Sequence, residues 1–130
     1  MFITYNKGKS NEFKALQDVN VEIYPREYII LFGPSGCGKS TLLYTMLGGI
    51  PPSDGHMFVQ NEDIYAYSPE ELNRYQQTTI GIVYQQFNLI SSLSVIDNVA
   101  LPMLFLGIQP SERLARAAQL LRRFGVPERV

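Results

Sequence analysis

An α/β fold is predicted for this 130-residue chain by three observations. First, the continuous apolar run Tyr28-Ile29-Ile30-Leu31-Phe32 has the composition of a strand buried on both faces, and it leads through a glycine-rich loop into helical sequence. Second, a similar run, Ile80-Gly81-Ile82-Val83-Tyr84, follows a stretch with strong helix-start chemistry. Third, short alternating segments bounded by turn residues flank these runs, which adds an antiparallel β layer beside the core.

In chain order, residues 1–24 alternate well enough for β-structure, with Phe2 and Ile3 in one short run and Val19, Val21 and Ile23 on one face of another. Pro25-Arg26-Glu27 forms the turn into the first apolar run. Thr41–Leu47 reads as a helix stopped by Gly48-Gly49 and Pro51-Pro52. Ser53-Asp54-Gly55 then turns the chain into His56-Met57-Phe58-Val59, and Asn61-Glu62-Asp63 turns it again, as in a hairpin. Ser68 is the expected N-cap of a helix with Pro69 at its first position and Glu70 and Glu71 in its first turn, ending near Thr78. From Ser94 the pattern is helical: Ser94 and Asp97 form a shortened capping box, and Ser111 is the expected cap of a last helix. The apolar stripe of that helix is Leu114, Ala117, Ala118 and Leu121, closing at Gly125.

Length and composition indicate one globular domain or part of one, with a net charge of −1 and 45% hydrophobic residues. Nothing in this balance points to a polyanion partner. Five of the seven arginines, Arg113, Arg116, Arg122, Arg123 and Arg129, crowd the last residues, but at helical spacing they make the solvated face of an amphipathic helix. The single cysteine, Cys37, excludes an internal disulfide. Its place at a helix N-terminus favours thiolate chemistry, yet a small side chain tolerated in a backbone-driven loop is the simpler reading. No apolar run approaches the roughly 20 residues needed to span a bilayer. The longest candidate, Val95 to Ile108, is broken by Asp97, Asn98 and Pro102, and the N-terminus has no leader pattern, so a cytoplasmic location is expected.

The most informative stretch is Gly33-Pro34-Ser35-Gly36-Cys37-Gly38-Lys39-Ser40-Thr41, which fits the phosphate-binding pattern G-x-x-x-x-G-K-[ST] at every fixed position. Its glycines let backbone N–H groups turn inward around phosphate oxygens, and the helix that follows adds its positive end. Lys39 is the candidate for the β- and γ-phosphates, Ser40 for Mg²⁺, and Thr41 for the α-phosphate side. The fold expected is therefore a P-loop NTPase core with an antiparallel β layer.

Such a loop alone does not separate transporters, kinases, GTPases and recombinases. The phrases GPSGCGKSTLL (33–43), PPSDGHMFV (51–59) and IGIVYQQFNLISSLSVIDNVALPM (80–103) resemble the nucleotide-binding domain of ABC transporters, and the last is most similar to the group acting in macrolide export and lipoprotein release. The resemblance implies that ATP and Mg²⁺ are the cofactors, held by residues 33–41. It further implies that Tyr5 stacks on adenine and that Gln85, with Gln86 as fallback, contacts Mg²⁺ and links nucleotide to a membrane partner. By the same resemblance, residues 87–106 dock a transmembrane permease and a second nucleotide-binding domain pairs head to tail. No nucleic acid partner is implied, and the location is peripheral, at the inner face of the cell membrane.

The family resemblance of residues 33–43, 51–59 and 80–103 also implies that the core is partial and leads into the start of an α-helical subdomain. The implied organisation is one partial domain: 1–27 and 53–66 in the antiparallel layer, 28–50 and 67–86 in the core, and 87–130 in the helical subdomain. The 130 residues contain no LSGGQ-type signature, no apolar strand ending in Asp-Glu, and no downstream switch histidine. They read as the first half of the domain, expected to bind ATP weakly without hydrolysing it. A soluble ATPase of the same class acting outside transport, and a non-catalytic nucleotide-binding or interaction module, are the alternatives. His56 is read as a structural or exposed residue.

Overall fold

The computed structural model describes residues 1–126. Its elements, in order, are β1 (Ile3–Tyr5), β2 (Phe13–Leu16), α1 (Lys39–Met46), β3 (Phe58–Val59), β4 (Glu62–Asp63), α2 (Pro69–Thr78), α3 (Val95–Phe105) and α4 (Pro110–Arg123). The chain divides into two compact units, Met1–Gln76 and Gln77–Val130.

In the first unit, β1 and β2 pair antiparallel with Thr4 opposite Lys14 and Tyr5 opposite Phe13. The Ser53 hydroxyl ties this hairpin to the later chain, accepting from Thr4 N–H at 2.9 Å and donating to Thr4 C=O. The β3–β4 hairpin turns at Gln60-Asn61, and Glu62 and Asp63, expected in the turn with Asn61, instead form β4 opposite Val59 and Phe58. Ile3, Leu16, Ile64, Thr45 and Tyr75 are the buried residues of this unit. Each fully buried aliphatic side chain among them contributes about 1.5–3 kcal/mol. The expected Ser68 cap forms in both directions: Glu71 N–H donates to Ser68 Oγ, and Ser68 N–H donates to the Glu71 carboxylate at 2.8 Å.

In the second unit, α3 packs on α4 around Ala100, Ala117 and Leu121. Ser94 caps α3 by accepting from Asp97 N–H. Asn98 then staples the preceding loop, accepting from Ile90 N–H at 2.8 Å while its amide donates to the carbonyls of Ile90, Leu93 and Ser94. Helices α1, α3 and α4 each end in a paired closure at a glycine; in α4, Gly125 N–H reaches Arg122 C=O and Val126 N–H reaches Leu121 C=O.

Five further expectations are corrected. Tyr28–Phe32 and Ile80–Tyr84 form no ladder among the described residues, and Tyr28, Ile30, Phe32 and Val83 are strongly exposed. Apolar composition favours a strand, but a strand also needs a hydrogen-bonding neighbour, and no described segment supplies one. Val19, Val21 and Ile23 likewise lie outside any strand, because β1 takes Phe13–Leu16 as its partner. Finally, α4 starts at Pro110 with Gln109 in the cap position, ahead of Ser111, since the fixed backbone angle of proline suits the first helical position. Leu114 on its stripe is exposed, while Ala117 and Leu121 are buried. Arg129 lies outside the described residues.

Candidate functional site: the phosphate loop and its helix

The loop at residues 33–38 delivers the chain into α1, whose N-cap Gly38 is left-handed at φ 96°. A larger residue at Gly38 is opposed on packing grounds as well: an added Cβ would lie 2.6 Å from Leu16 Cδ2 and 2.7 Å from Ala15 C=O. Strand β2 thus backs directly onto the loop. At Gly36, also left-handed at φ 80°, a Cβ would meet nothing within 4 Å, so the space on that side is open.

Among the described residues, the backbone N–H groups of Gly36, Gly38, Lys39, Ser40 and Thr41 donate to no group of the protein. The first N–H groups of a helix have no intrahelical acceptor, and here the loop adds another beside them. Lys39 Nζ folds back over the loop and donates to the carbonyls of Gly33 and Pro34, both at 2.8 Å, with Cys37 Sγ at 3.6 Å. The result is a row of unspent amide donors, a helix N-terminus and an ammonium group within one turn of chain. No acidic side chain stands in the first turn of α1 to offset that positive field. Chemically this is a receptor for a compact polyanion such as a phosphate chain.

Tyr5, at the end of β1, stands next to the loop: its hydroxyl is 3.4 Å from Thr41 Oγ1. The two candidates farthest apart in this group, Tyr5 and Thr41, are therefore brought together in the first unit. Cys37 is exposed. Gln85 and Gln86 belong to the second unit, in an exposed bend after Ile80–Tyr84. Of the apolar residues in 87–106, Phe87, Leu89, Ile90, Leu93, Leu104, Phe105 and Leu106 are exposed, and Val95, Leu101 and Met103 are partly covered. His56 is exposed ahead of β3, stacked on Phe58 and 2.7 Å from the Asp63 carboxylate. That hydrogen bond holds Asp63 below the usual carboxylate range.

Residue types at the loop identify the anion cradle, but they do not reveal what holds its helix. Thr45 is fully buried and donates to Thr41 C=O at 2.9 Å. The C-terminal carbonyls of α1 are met by Tyr65, Tyr75 and Gln76. The one signal for these in the sequence is the density of tyrosines at 65, 67 and 75 next to polar turns, which does not specify a target.

Comparisons with known proteins agree with this geometry. The family model described as ABC transporter matches residues 16–130. An uncharacterized ABC transporter ATP-binding protein of Thermotoga maritima is 37% identical over 118 residues, covering 90% of this chain and 50% of that protein. The Bacillus subtilis ABC transporter ATP-binding protein YtrE is 34% identical, with 96% and 54% covered. The macrolide export ATP-binding/permease protein MacB of Azoarcus is 39% identical over 91% of this chain and 18% of its own length. The chain spans about half the length of the first two relatives. Among solved structures, the dimeric post-hydrolysis state of the ATP-binding cassette MJ0796, bound to ADP and Pi, superposes with a TM-score of 0.85 at 34% identity, covering 98% of this chain and 56% of that one. The sequence of the loop, its unspent donors and these matches agree: the chain belongs to the ABC transporter family, with the fold of that family's ATP-binding cassette.

Proposed function

We propose that this chain binds MgATP at residues 33–41 as the ATP-binding part of a transporter whose membrane permease it drives. The observation that carries this reading is the run of free N–H donors at Gly36 and Gly38–Thr41 beneath the Lys39 ammonium. In it, the backbone donors hold the phosphate oxygens, and Lys39 leaves the Gly33 and Pro34 carbonyls for the β- and γ-phosphates. Ser40 offers its hydroxyl to Mg²⁺, and Gln85 is its second protein ligand. Tyr5 takes the adenine ring on its π-face, a recognition that reads flatness more than sequence of donors. Among the described residues no three His, Cys, Asp or Glu side chains converge to hold an ion. Mg²⁺ therefore enters as the companion of the nucleotide, where it neutralises charge on the phosphates.

Transport coupling belongs to the same proposal. Residues 87–106, rich in exposed apolar side chains, dock the permease, and Gln85 relays the nucleotide state to it. The second copy of the cassette pairs head to tail, and the assembly works at the inner face of the membrane. Within it, residues 1–27 and 53–66 form the antiparallel layer, 28–50 and 67–86 the nucleotide core, and 87–130 part of the helical subdomain. Hydrolysis also needs a carboxylate that polarises water, and residues 1–130 carry no Asp-Glu pair at the end of an apolar strand. These residues by themselves bind MgATP without turning it over.

Calorimetric titration of MgATP into the wild-type chain and Lys39→Ala tests this. Saturable binding that weakens at least tenfold in the variant is expected, because a charge-assisted contact is worth about 1.5–3 kcal/mol. Equal heats from both proteins, or phosphate release above background from the wild type, would contradict the corresponding half of the reading.

A further inference from the structure

The far end of α1 is held as specifically as its N-terminus is exposed. This helix has eight residues. At a rise of 1.5 Å per residue it is about 12 Å long, so its two ends move as one body. Its last turn is closed by Gly48 N–H on Thr45 C=O and Gly49 N–H on Tyr44 C=O. Beyond that closure, the segment from β4 into α2 reaches over with three side chains. The Tyr65 hydroxyl lies 2.8 Å from Thr45 C=O and 2.6 Å from Ile50 C=O, its one proton shared between them. The Tyr75 hydroxyl donates to Met46 C=O at 2.6 Å, and Gln76 Nε2 donates to Leu47 C=O at 3.0 Å. Leu72 closes the remaining space: a Cβ on Gly48 would come within 2.7 Å of its Cδ1.

These contacts do more than satisfy the carbonyl end. They grip consecutive carbonyls from two separate positions, 65 and 75, so a slip or a rotation of α1 would break several bonds together. At the other end, Gly38 is wedged against Ala15 and Leu16. The helix is thus fixed at both ends, and the direction in which it aims its free N–H groups follows from both.

We infer that Tyr65 and Tyr75 are positioning residues for the phosphate site: by holding the C-terminal carbonyls of α1 they set where its N-terminus presents Lys39, Ser40 and the loop donors. This rests on the reading that the loop receives a nucleotide phosphate. Tyr→Phe at either position keeps the ring and removes the hydroxyl alone. Ile64→Val serves as the control, since Ile64 is fully buried in the same unit and its loss of one methylene lowers stability while leaving in place every hydroxyl that holds α1.

The test uses the wild type, Tyr65→Phe, Tyr75→Phe, the double variant and Ile64→Val. Thermal melts, MgATP calorimetry and backbone amide spectra of the unliganded proteins are recorded for each. In the double variant, MgATP affinity is expected to fall at least fivefold and the amide resonances of Gly36, Gly38 and Ser40 to move, while Ile64→Val loses stability and does neither. Loop amides that stay in place in the variants, or an affinity that falls no further than in Ile64→Val, overturn the inference. A wild type that binds no MgATP refutes the functional reading, and the loop amides then decide the positioning role alone: movement supports it and constancy overturns it. If the double variant does not fold, the two single variants are judged by the same criteria.

Discussion

At the scale of single residues, Gly38 and Gly36 separate two costs that sequence alone merges. Both are left-handed, but only Gly38 has backbone and a leucine methyl where a Cβ would go. Gly38→Ala therefore adds a clash to the conformational cost and is expected to destabilise the chain by about 3 kcal/mol. Gly36→Ala meets open space and carries the conformational cost alone, about 1–2 kcal/mol. Denaturant unfolding of both variants checks the order; equal losses would show that β2 does not back the loop. The loop was legible as a candidate phosphate site, because the phosphate pattern fixes residue types at fixed spacing. The clash behind Gly38 was not, because Ala15 and Leu16 are distant in sequence and nothing in their types marks them as its neighbours. Tyr5 was legible only through the family resemblance; the structure places its hydroxyl 3.4 Å from Thr41 Oγ1.

At the scale of elements, the tyrosines that surround α1 and α2 predict a behaviour in alkali. Burial pushes Tyr65 up to about 12, and the hydrogen bond to Glu62 pushes Tyr67 up to about 12. Burial also raises Tyr75. Phenols that ionise later in the folded chain than in the unfolded one favour the fold while neutral. Their contribution is complete below about pH 10, the ordinary tyrosine value, and is lost as pH rises towards 12. Urea midpoints measured across that window should fall, and Tyr65→Phe should show a smaller fall from a lower start. A flat profile in both would contradict the anchoring of α1 by Tyr65. Helix ends were the most readable elements: Ser68 and Ser94 cap α2 and α3, and glycines close α1 and α4 as their spacing predicts. Strands were less readable, because a strand is completed by a neighbour that the local pattern does not contain. Tyr28–Phe32 and Ile80–Tyr84 have strand composition and remain unpaired among the described residues, whereas Phe13–Leu16, with Lys14 in it, forms β2.

At the scale of the whole molecule, the unpaired apolar segments have a physical consequence. Extended chain with free N–H and C=O groups and exposed Tyr28, Ile30, Phe32 and Val83 is a template for pairing with another chain. The 130-residue protein is expected to self-associate in a concentration-dependent way, measured by light scattering. A single monomeric mass at all concentrations would contradict this. The composition gave no warning of it, since an unremarkable balance of charge and hydrophobicity says nothing of which apolar residues find cover.

The most direct test of the central claim observes the donors themselves. Backbone amide spectra recorded with and without MgATP should show the largest changes at Gly36, Gly38, Lys39, Ser40 and Thr41, whose N–H groups are unspent in the protein. If those five resonances stay fixed while MgATP binds, the nucleotide sits elsewhere and the cradle is not its site.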